Sequence, residues 1–370
     1  MKIRNLFITA LALIMWLPAF SQKDVFSQKY IEEAMLDAFE WQQVNPKHAP
    51  TDWTNGAYYV GVSQAYKATK NKAFYDGMVK VAEKTEYKPG NRWYHADDIT
   101  ICQTYIDIYN KSKATADLKP TKEVLDKVIL YVDGYEWKNP EIQIINWWWC
   151  DALFMGPPTF VKYGVATDQN IYLKASDKYY RECYDLLYDK AEDLWARDLN
   201  YVPDGNREAK MEENGKKIFW SRGNGWVFGG LALVLQEMPK DWPNREFYEE
   251  IFVKMAARLK SLQPADGAWR SSMLNPAAHQ FGETSGTGFF VFGLAWGIRS
   301  GYLKKEDYLP SVKKGWKALV SHQQDNGMVG FVQPIGAAPS LQVNKDSWEV
   351  YGTGAFLCAG AEVMKLNIDK

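Results

Sequence analysis

The sequence predicts an all-α fold, an (α/α)6 barrel in which inner helices are surrounded by outer helices. An apolar, helix-like segment with a small or acidic residue at its start recurs six times along the chain. Amphipathic segments with apolar residues at helical spacing alternate with these repeats, and alternating strand patterns are almost absent. Since one hairpin cannot bury its inner face alone, we expect six hairpins to close into a ring.

The six apolar segments are rich in Gly and Ala and apolar on nearly all sides, which predicts an inner layer. They begin at Gly56, Asp98, Asp151, Gly225, Gly286 and Gly352. The amphipathic segments, predicted to form the outer layer, span residues 30–43, 71–86, 122–132, 175–188, 247–262 and 309–323. The loops before the inner segments should meet at one end of the ring, where we expect the functional site. An open helical solenoid is the alternative architecture.

The N-terminal residues predict export. Lys2 and Arg4 precede an apolar run that ends in small residues, a pattern typical of a secretory signal peptide. The run is shorter than the roughly 20 residues that span a bilayer, so no membrane anchor is expected. We expect residues 1–21 to be removed and residues 22–370 to form a single catalytic domain that is exported to the periplasm.

Composition argues against several kinds of site. The chain has 44 Lys and Arg against 45 Asp and Glu, so it lacks the basic field that nucleic acid requires. Its four cysteines lie far apart in apolar segments and are expected to be buried thiols. Its four histidines lack metal-ligand spacing, so neither a metal nor a cofactor is expected. We expect a monomer or a weak homo-oligomer.

The 16 tryptophans are more than a core requires, and many precede the inner segments. Aromatic faces stack on the apolar faces of sugar rings, which favours a carbohydrate cleft. For any single tryptophan, packing between helices is the competing explanation. The stretch WSRGNGW also places Arg222 between Trp220 and Trp226, where it could bind a substrate carboxylate or form a turn with a surface arginine.

Carboxylates stand at three of the predicted inner-helix starts: Asp97 and Asp98, Asp151, and Glu283. Asp151 follows three consecutive tryptophans and has the most apolar neighbours. Burial is therefore expected to raise the pKa of Asp151, as a proton donor requires. The competing explanation is a helix N-cap, which suits Asp98 better than Asp151.

The stretches WCDALFMGPP, WSRGNGW, ETSGT and YGTGAFLCAG resemble glycoside hydrolase family 105, the unsaturated rhamnogalacturonyl hydrolases, which are related to the family 88 unsaturated glucuronyl hydrolases. The resemblance runs from Thr51 to the end of the chain. It implies an (α/α)6 barrel and an exo-acting enzyme. Such an enzyme removes a terminal 4,5-unsaturated uronic acid from lyase-generated oligosaccharides of the pectin or rhamnogalacturonan type by hydrating the C4=C5 enol ether.

By motif position, the resemblance implies that Asp151 is the acid/base and Asp97 the second catalytic aspartate, with Asp98 one residue away as the alternative. The substrate-binding residues that it implies or that accompany its motifs are Arg222, Trp226, Trp147, Trp148, His95, Trp53, Asn55, Trp220 and Thr284. Better-known members carry a histidine in a short turn between these motifs, whereas the corresponding stretch here has Arg197, Asp198 and Tyr201 and no histidine, so contacts to the leaving sugar are expected to differ. The rival hypotheses are an inverting glycosidase using Asp151 and Glu283, and a non-catalytic carbohydrate-binding protein.

Overall fold

The computed structural model describes residues 24–131, 143–203 and 208–368. The predicted signal peptide, residues 1–21, lies outside this part of the chain. Within it, the longest helices fall short of the length and apolarity that crossing a membrane requires. All four cysteines belong to the described residues and are free and buried, which confirms that prediction.

Helices make up most of the described chain. In chain order they are α1 (Gln28–Val44), α2 (Trp53–Thr69), α3 (Lys72–Lys84), α4 (Cys102–Ser112), α5 (Lys119–Tyr131), α6 (Ala152–Met155), α7 (Pro157–Thr167), α8 (Asn170–Leu187), α9 (Ser221–Glu237), α10 (Arg245–Ser261), α11 (Thr284–Arg299), α12 (Lys305–His322) and α13 (Val350–Leu366). A small antiparallel hairpin, β1 (Tyr188–Asp189) and β2 (Leu194–Trp195), follows α8.

The inner layer forms a closed ring. Helices α2, α4, α7, α9, α11 and α13 each contact the next, and α13 returns to pack against α2. Almost every residue of α9, α11 and α13 is buried, whereas α3 and α8 bury one face only. The predicted (α/α)6 barrel is therefore confirmed, and the open solenoid is wrong.

Glycines allow the ring to close between α2 and α13. A Cβ atom added at Gly61 would lie 2.2 Å from the carbonyl oxygen of Gly354. A Cβ atom added at Gly354 would lie 2.7 Å from the carbonyl oxygen of Ala57. The two backbones touch here, which a side chain at either glycine would prevent.

Two inner segments begin differently from the prediction, both at the N-terminal end of the ring. The segment that starts at Asp151 is broken after one turn, because Pro157 and Pro158 have no backbone N–H and start a new helix, α7. The segment predicted from Asp98 starts with a 3-10 turn, Ala96–Ile99, and α4 begins only at Cys102. Both irregular starts carry the candidate catalytic aspartates.

Ion pairs join the inner helices near their C-terminal ends. Asp107 on α4 accepts from Lys162 on α7 at 2.6 Å and from Lys67 on α2 at 3.0 Å. Lys67 also lies 3.5 Å from Glu237 at the end of α9. The side chains of Lys162 and Asp107 are only 1% and 5% exposed. Four inner helices therefore meet in one buried cluster of opposite charges.

The remaining two inner helices are joined in the same way. Glu362 on α13 is buried and accepts from Arg299 on α11 at 2.8 Å and from Lys365 at 2.9 Å. Charged side chains therefore join the six inner helices in two clusters, one across α2, α4, α7 and α9 and one across α11 and α13. The N-terminal end is left as the place for a site.

Candidate active site

Asp151 lies directly before α6, and its carboxylate makes few contacts. Its backbone is helical, with φ −61° and ψ −30°, and its side chain makes no capping hydrogen bond. The nearest polar atoms are Cys150 Sγ at 3.5 Å and Arg197 Nε at 3.7 Å from Oδ2. The side chain is 13% exposed. Asp151 is thus not the N-cap that competed with the catalytic interpretation.

Burial raises the pKa of Asp151, while the positive charges of Arg197 and Arg222 oppose this rise. Burial raises the pKa of Asp97 more strongly, to about 8. The positive charges of Arg92 and Arg197 oppose this rise, and the negative charges of Asp151 and Asp98 add to it. At neutral pH the carboxyl group of Asp97 therefore holds a proton that an ordinary aspartate would have lost.

Asp97 and Asp98 are neighbours with different surroundings. Asp98 accepts from Arg92 through Nε at 2.9 Å, Nη2 at 2.6 Å and the backbone N–H at 2.6 Å. Asp97 is 3.7 Å from the same guanidinium and is otherwise next to His95. Asp98 therefore fixes the 3-10 turn, and the geometry favours Asp97 over Asp98 as the second catalytic aspartate.

His95 contacts both the backbone and the side chain of Asp97. Its Nδ1 accepts from the backbone N–H of Asp97 at 3.3 Å and lies 3.4 Å from Asp97 Oδ2. Burial lowers the pKa of His95 to about 3, and the charges of Arg92 and Arg197 act in the same direction. At neutral pH this imidazole is uncharged, so the 3.4 Å contact is not an ion pair.

The three consecutive tryptophans point in different directions. Trp147 is 2% exposed and packs against Phe160 and Tyr179, with ring centroids at 6.0 and 5.3 Å. It also lies so close to Gly156 that a Cβ atom there would be 2.5 Å from the indole. The prediction that Trp147 binds substrate is corrected: this ring packs between α7 and α8.

The other two rings of the triplet lie beside the aspartates. Trp149 is buried, with its ring centroid 4.5 Å from that of His95. Trp148 is half-buried, its ring centroid lies 5.5 Å from the Arg197 guanidinium carbon, and its indole Nε1 is buried without a hydrogen-bond partner. Trp148 is the ring of the three that is available to a sugar.

Arg222 points inward, so the alternative of a surface arginine is wrong. It is 1% exposed. Its Nη1 donates to the carbonyl oxygen of Gln333 at 2.8 Å, and its Nη2 donates to those of Pro334 at 3.0 Å and Gly336 at 3.5 Å. The Arg222 guanidinium, which was expected to bind a substrate carboxylate, therefore holds the loop of residues 333–336.

Three aromatic rings, Trp220, Tyr351 and Trp53, form an aromatic wall beside Arg222. Its guanidinium carbon is 4.3 Å from the ring centroid of Trp220 and 4.9 Å from that of Tyr351. Trp53 stacks on Tyr351 with an interplanar angle of 17° and is the half-buried member of this wall. Trp226 is fully buried but keeps an indole Nε1 without a partner.

Three further residues that were predicted to bind substrate make hydrogen bonds that hold the surrounding loops. The Asn55 amide donates to two main-chain carbonyls of the loop before α2, both at 2.9 Å. Thr284 is fully buried, and its hydroxyl donates to the carbonyl oxygen of Gly330 at 2.7 Å. Trp220 is 2% exposed and donates through Nε1 to Gln333 Oε1 at 3.0 Å.

Comparison with known proteins identifies the family of this chain. The model of Glycosyl Hydrolase Family 88 matches residues 26–367. The chain belongs to glycosyl hydrolase family 88. A protein of Formosa agariphila named unsaturated 3S-rhamnoglycuronyl hydrolase is 47% identical to this family 88 chain over 95% of each chain.

Two further relatives agree with this assignment. A protein of the same name from an Alteromonas strain is 34% identical over 85% of this chain and 78% of its own. The solved structure of a glycosyl hydrolase family 88 protein from Bacteroides vulgatus superposes with a TM-score of 0.82 at 29% identity, over 92% of this chain and 99% of that one. The predicted resemblance to this enzyme group and the assignment as a glycoside hydrolase are confirmed.

In this family 88 hydrolase, Glu283 is the N-cap of α11. It is fully buried, and its carboxylate accepts from the backbone and hydroxyl of Ser285, the backbone of Gly286 and the backbone of Gln333 at 2.6 to 3.1 Å. A general base needs a free oxygen that can reach water. The structure therefore gives no support to an inverting pair of Asp151 and Glu283.

Sequence reasoning missed the partners that organise this site. Arg92 lies only six residues before Asp98, and this spacing in a loop was a usable signal for an ion pair. Tyr351 stands in the quoted YGTG stretch but was not singled out as a ring of the aromatic wall. Gln333 lies in a loop without a recognisable motif, and only the folded ring brings it to Arg222.

Proposed function

We propose that this family 88 hydrolase removes a terminal 4,5-unsaturated uronic acid from lyase-generated oligosaccharides by hydrating the C4=C5 double bond. The observation that carries the proposal is the pair of largely buried acids, Asp97 and Asp151, whose pKa values are both raised by burial, while Glu283 is fully committed as a cap. The names of the two curated relatives support it, since both refer to an unsaturated glycuronyl substrate.

One carboxylic acid is sufficient for this chemistry. The double bond next to the ring oxygen is an enol ether, so protonation at C4 by Asp151 places oxocarbenium character on C5. Water adds to C5 and gives its proton to the Asp151 carboxylate, which restores the acid. The product is a hemiketal, which opens and releases the leaving sugar. Ordinary glycoside hydrolysis instead uses two carboxyl groups that flank the anomeric centre.

The electrostatics of the site fit a proton donor that is activated when substrate binds. In the free protein, Arg197 and Arg222 oppose the rise in the pKa of Asp151, whereas the pKa of Asp97 is raised to about 8, so that Asp97 holds a proton. A uronate brings a negative charge next to both acids. That charge offsets the arginines and raises the pKa of Asp151, so the proton can move to the residue that donates it.

The leaving sugar is proposed to be rhamnose that carries a sulfate, which is how we interpret the 3S prefix in the names of both curated relatives. Pectic fragments of the rhamnogalacturonan type are the second substrate class. We also propose that residues 22–370 are one exported catalytic domain. The family match over residues 26–367 supports the single domain, and the signal-like pattern at residues 1–21 supports export to the periplasm.

The test follows the ultraviolet absorbance of the conjugated unsaturated uronate during incubation with purified protein. The substrates are disaccharides made by lyases from sulfated rhamnoglycuronan, pectin and glycosaminoglycan. We expect the wild type to abolish the signal on the first class, and Asp151→Asn to react on the order of 1,000-fold more slowly. Asp168→Asn, an exposed aspartate at the end of α7, is the matched control. Unchanged absorbance on all three classes would contradict the proposal.

A further inference from the structure

We propose that Arg197 binds the carboxylate of the unsaturated uronic acid and thereby positions the C4=C5 bond against Asp151. This inference rests on the proposed function. It assigns the recognition of the acid group to a side chain that lies next to Asp151 in the folded protein.

Arg197 has hydrogen-bond donors to spare. Its Nη1 donates to Asp198 Oδ2 at 2.6 Å. Its Nε is 3.7 Å from Asp151 Oδ2, beyond hydrogen-bond distance, and is buried without a hydrogen-bond partner among the described residues. The side chain is 20% exposed, so a ligand can reach the guanidinium. A planar fork with free N–H groups matches a carboxylate in two-point geometry.

Arg222, the other arginine that acts on Asp151, also has an Nε without a partner among the described residues, but both of its Nη atoms are engaged and it is far less exposed. Its Nη1 and Nη2 donate to the main-chain carbonyls of residues 333–336, and only 1% of the residue is exposed. Its charge still acts at Asp151, but carboxylate binding would require it to release a loop. Arg197 needs no such rearrangement.

The chemistry of the ring explains why a cation beside the proton donor meets the carboxylate. The carboxylate is attached to C5, the direct neighbour of the C4 atom that Asp151 protonates. The glycosidic bond leaves from C1, which lies across the ring from C4. A guanidinium whose Nε is 3.7 Å from Asp151 is within reach of a carboxylate attached to the atom next to C4.

Arg197 is also held in place before substrate arrives. Asp198, which accepts from its Nη1, is 3% exposed and accepts from the backbone and side-chain amides of Asn200, both at 2.8 Å. The ring of Trp148 lies 5.5 Å from the guanidinium carbon on another side. A side chain fixed by such supports loses little conformational entropy when it binds a ligand.

The experiment combines substitutions of Arg197 with removal of the substrate charge, as in a double-mutant cycle. kcat and KM are measured for the wild type, Arg197→Gln and Arg197→Lys on an unsaturated disaccharide and on its C6 methyl ester, which keeps the double bond but loses the charge. Arg197→Gln should lower kcat/KM on the order of 10- to 100-fold on the carboxylate and only slightly on the ester. Arg197→Lys should recover part of the loss. Arg258→Gln, an arginine paired with Glu192 away from the site, is the control.

The other outcomes are distinct. An equal loss on carboxylate and ester would mean that Arg197 acts only through Asp151, which overturns the proposal. A loss that follows the presence of the sulfate, in a third comparison with desulfated disaccharide, would assign Arg197 to the leaving sugar and also overturn it. Thermal melting of each variant separates misfolding from lost recognition. Failure of the proposed function itself would appear as a wild type that leaves the absorbance of every unsaturated substrate unchanged.

Discussion

Adjacent aspartates in this protein perform different tasks because their backbone positions expose them to different partners. Asp98 accepts three hydrogen bonds from Arg92, whereas Asp97 lies between neutral His95 and Asp151. A carboxylate that accepts charged donors is stabilised in its ionised form. A buried carboxyl group next to another acid keeps its proton. Position in the sequence alone does not separate them.

Replacing each aspartate by asparagine should separate structure from catalysis. Asp97→Asn removes the proton that Asp97 holds, and we expect kcat/KM to fall on the order of 100-fold with a melting temperature at neutral pH no lower than that of the wild type. Asp98→Asn weakens the bonds to Arg92, and we expect the free energy of unfolding to fall by about 1–3 kcal/mol. Steady-state kinetics and thermal unfolding of both variants check this, and the reverse pattern would assign catalysis to Asp98.

The pH dependence of the same variants provides a second check. Because the pKa of Asp97 is raised from 3.8 to about 8, the folded state binds more protons than the unfolded state between these values. The contribution of Asp97 to the free energy of unfolding therefore falls as pH rises through this window. kcat/KM should decline above pH about 8, where Asp97 loses its proton. Asp97→Asn should lose this slope in stability.

At the scale of elements, the starts of the inner helices decide which carboxylates can react. Glu283 caps α11 with both oxygens bonded, while Asp151 precedes the single turn of α6 without capping it. The break before Pro157 explains the difference, since it leaves α6 too short to be stabilised by a cap at Asp151. An uncapped carboxylate keeps its oxygens for chemistry.

Removing the cap of α11 should cost stability and leave the chemistry intact. The two carboxylate oxygens of Glu283 accept from four donors, and Glu283→Gln replaces one of these oxygens by an NH2 group that cannot accept. We therefore expect a loss of about 1–3 kcal/mol in the free energy of unfolding. Ser27→Ala, which removes the cap of the outer helix α1, should cost about 1 kcal/mol or less. Chemical denaturation measures both. A stable but inactive Glu283→Gln protein would instead support the hypothesis of an inverting glycosidase that uses Asp151 and Glu283.

Helical periodicity predicted the elements well, because an amphipathic pattern extends over a whole helix. Residues 309–323, for example, fall within α12 (Lys305–His322) except for one residue. The orientation of single side chains was not predictable in this way. Trp147 and Trp148 are neighbours, and only the packing of α8 decides that Trp147 is the buried one. Likewise, Arg222 bonds Gln333 across 111 residues, a contact that exists only once the ring has closed.

At the scale of the whole molecule, closure of the ring depends on backbone contact between its first and last inner helices. Gly61→Ala would place a methyl group 2.2 Å from the carbonyl oxygen of Gly354, so α2 and α13 must separate. We expect a loss of at least about 1–3 kcal/mol in the free energy of unfolding. Gly336→Ala, where the nearest atoms are 3.9 Å away, should change it by about 0.5 kcal/mol or less. Equal stability of the two variants would show that this contact does not limit closure.

Buried ion pairs of Asp107 and Glu362 lie between the inner helices, beyond the candidate catalytic aspartates at the helix starts. Under the proposed function, substrate therefore enters and leaves at the end of the barrel where those aspartates lie. The product chain ends in a saturated sugar, which has no C4=C5 bond to hydrate. Each oligosaccharide that a lyase produces is therefore shortened once, and any further shortening requires a different activity.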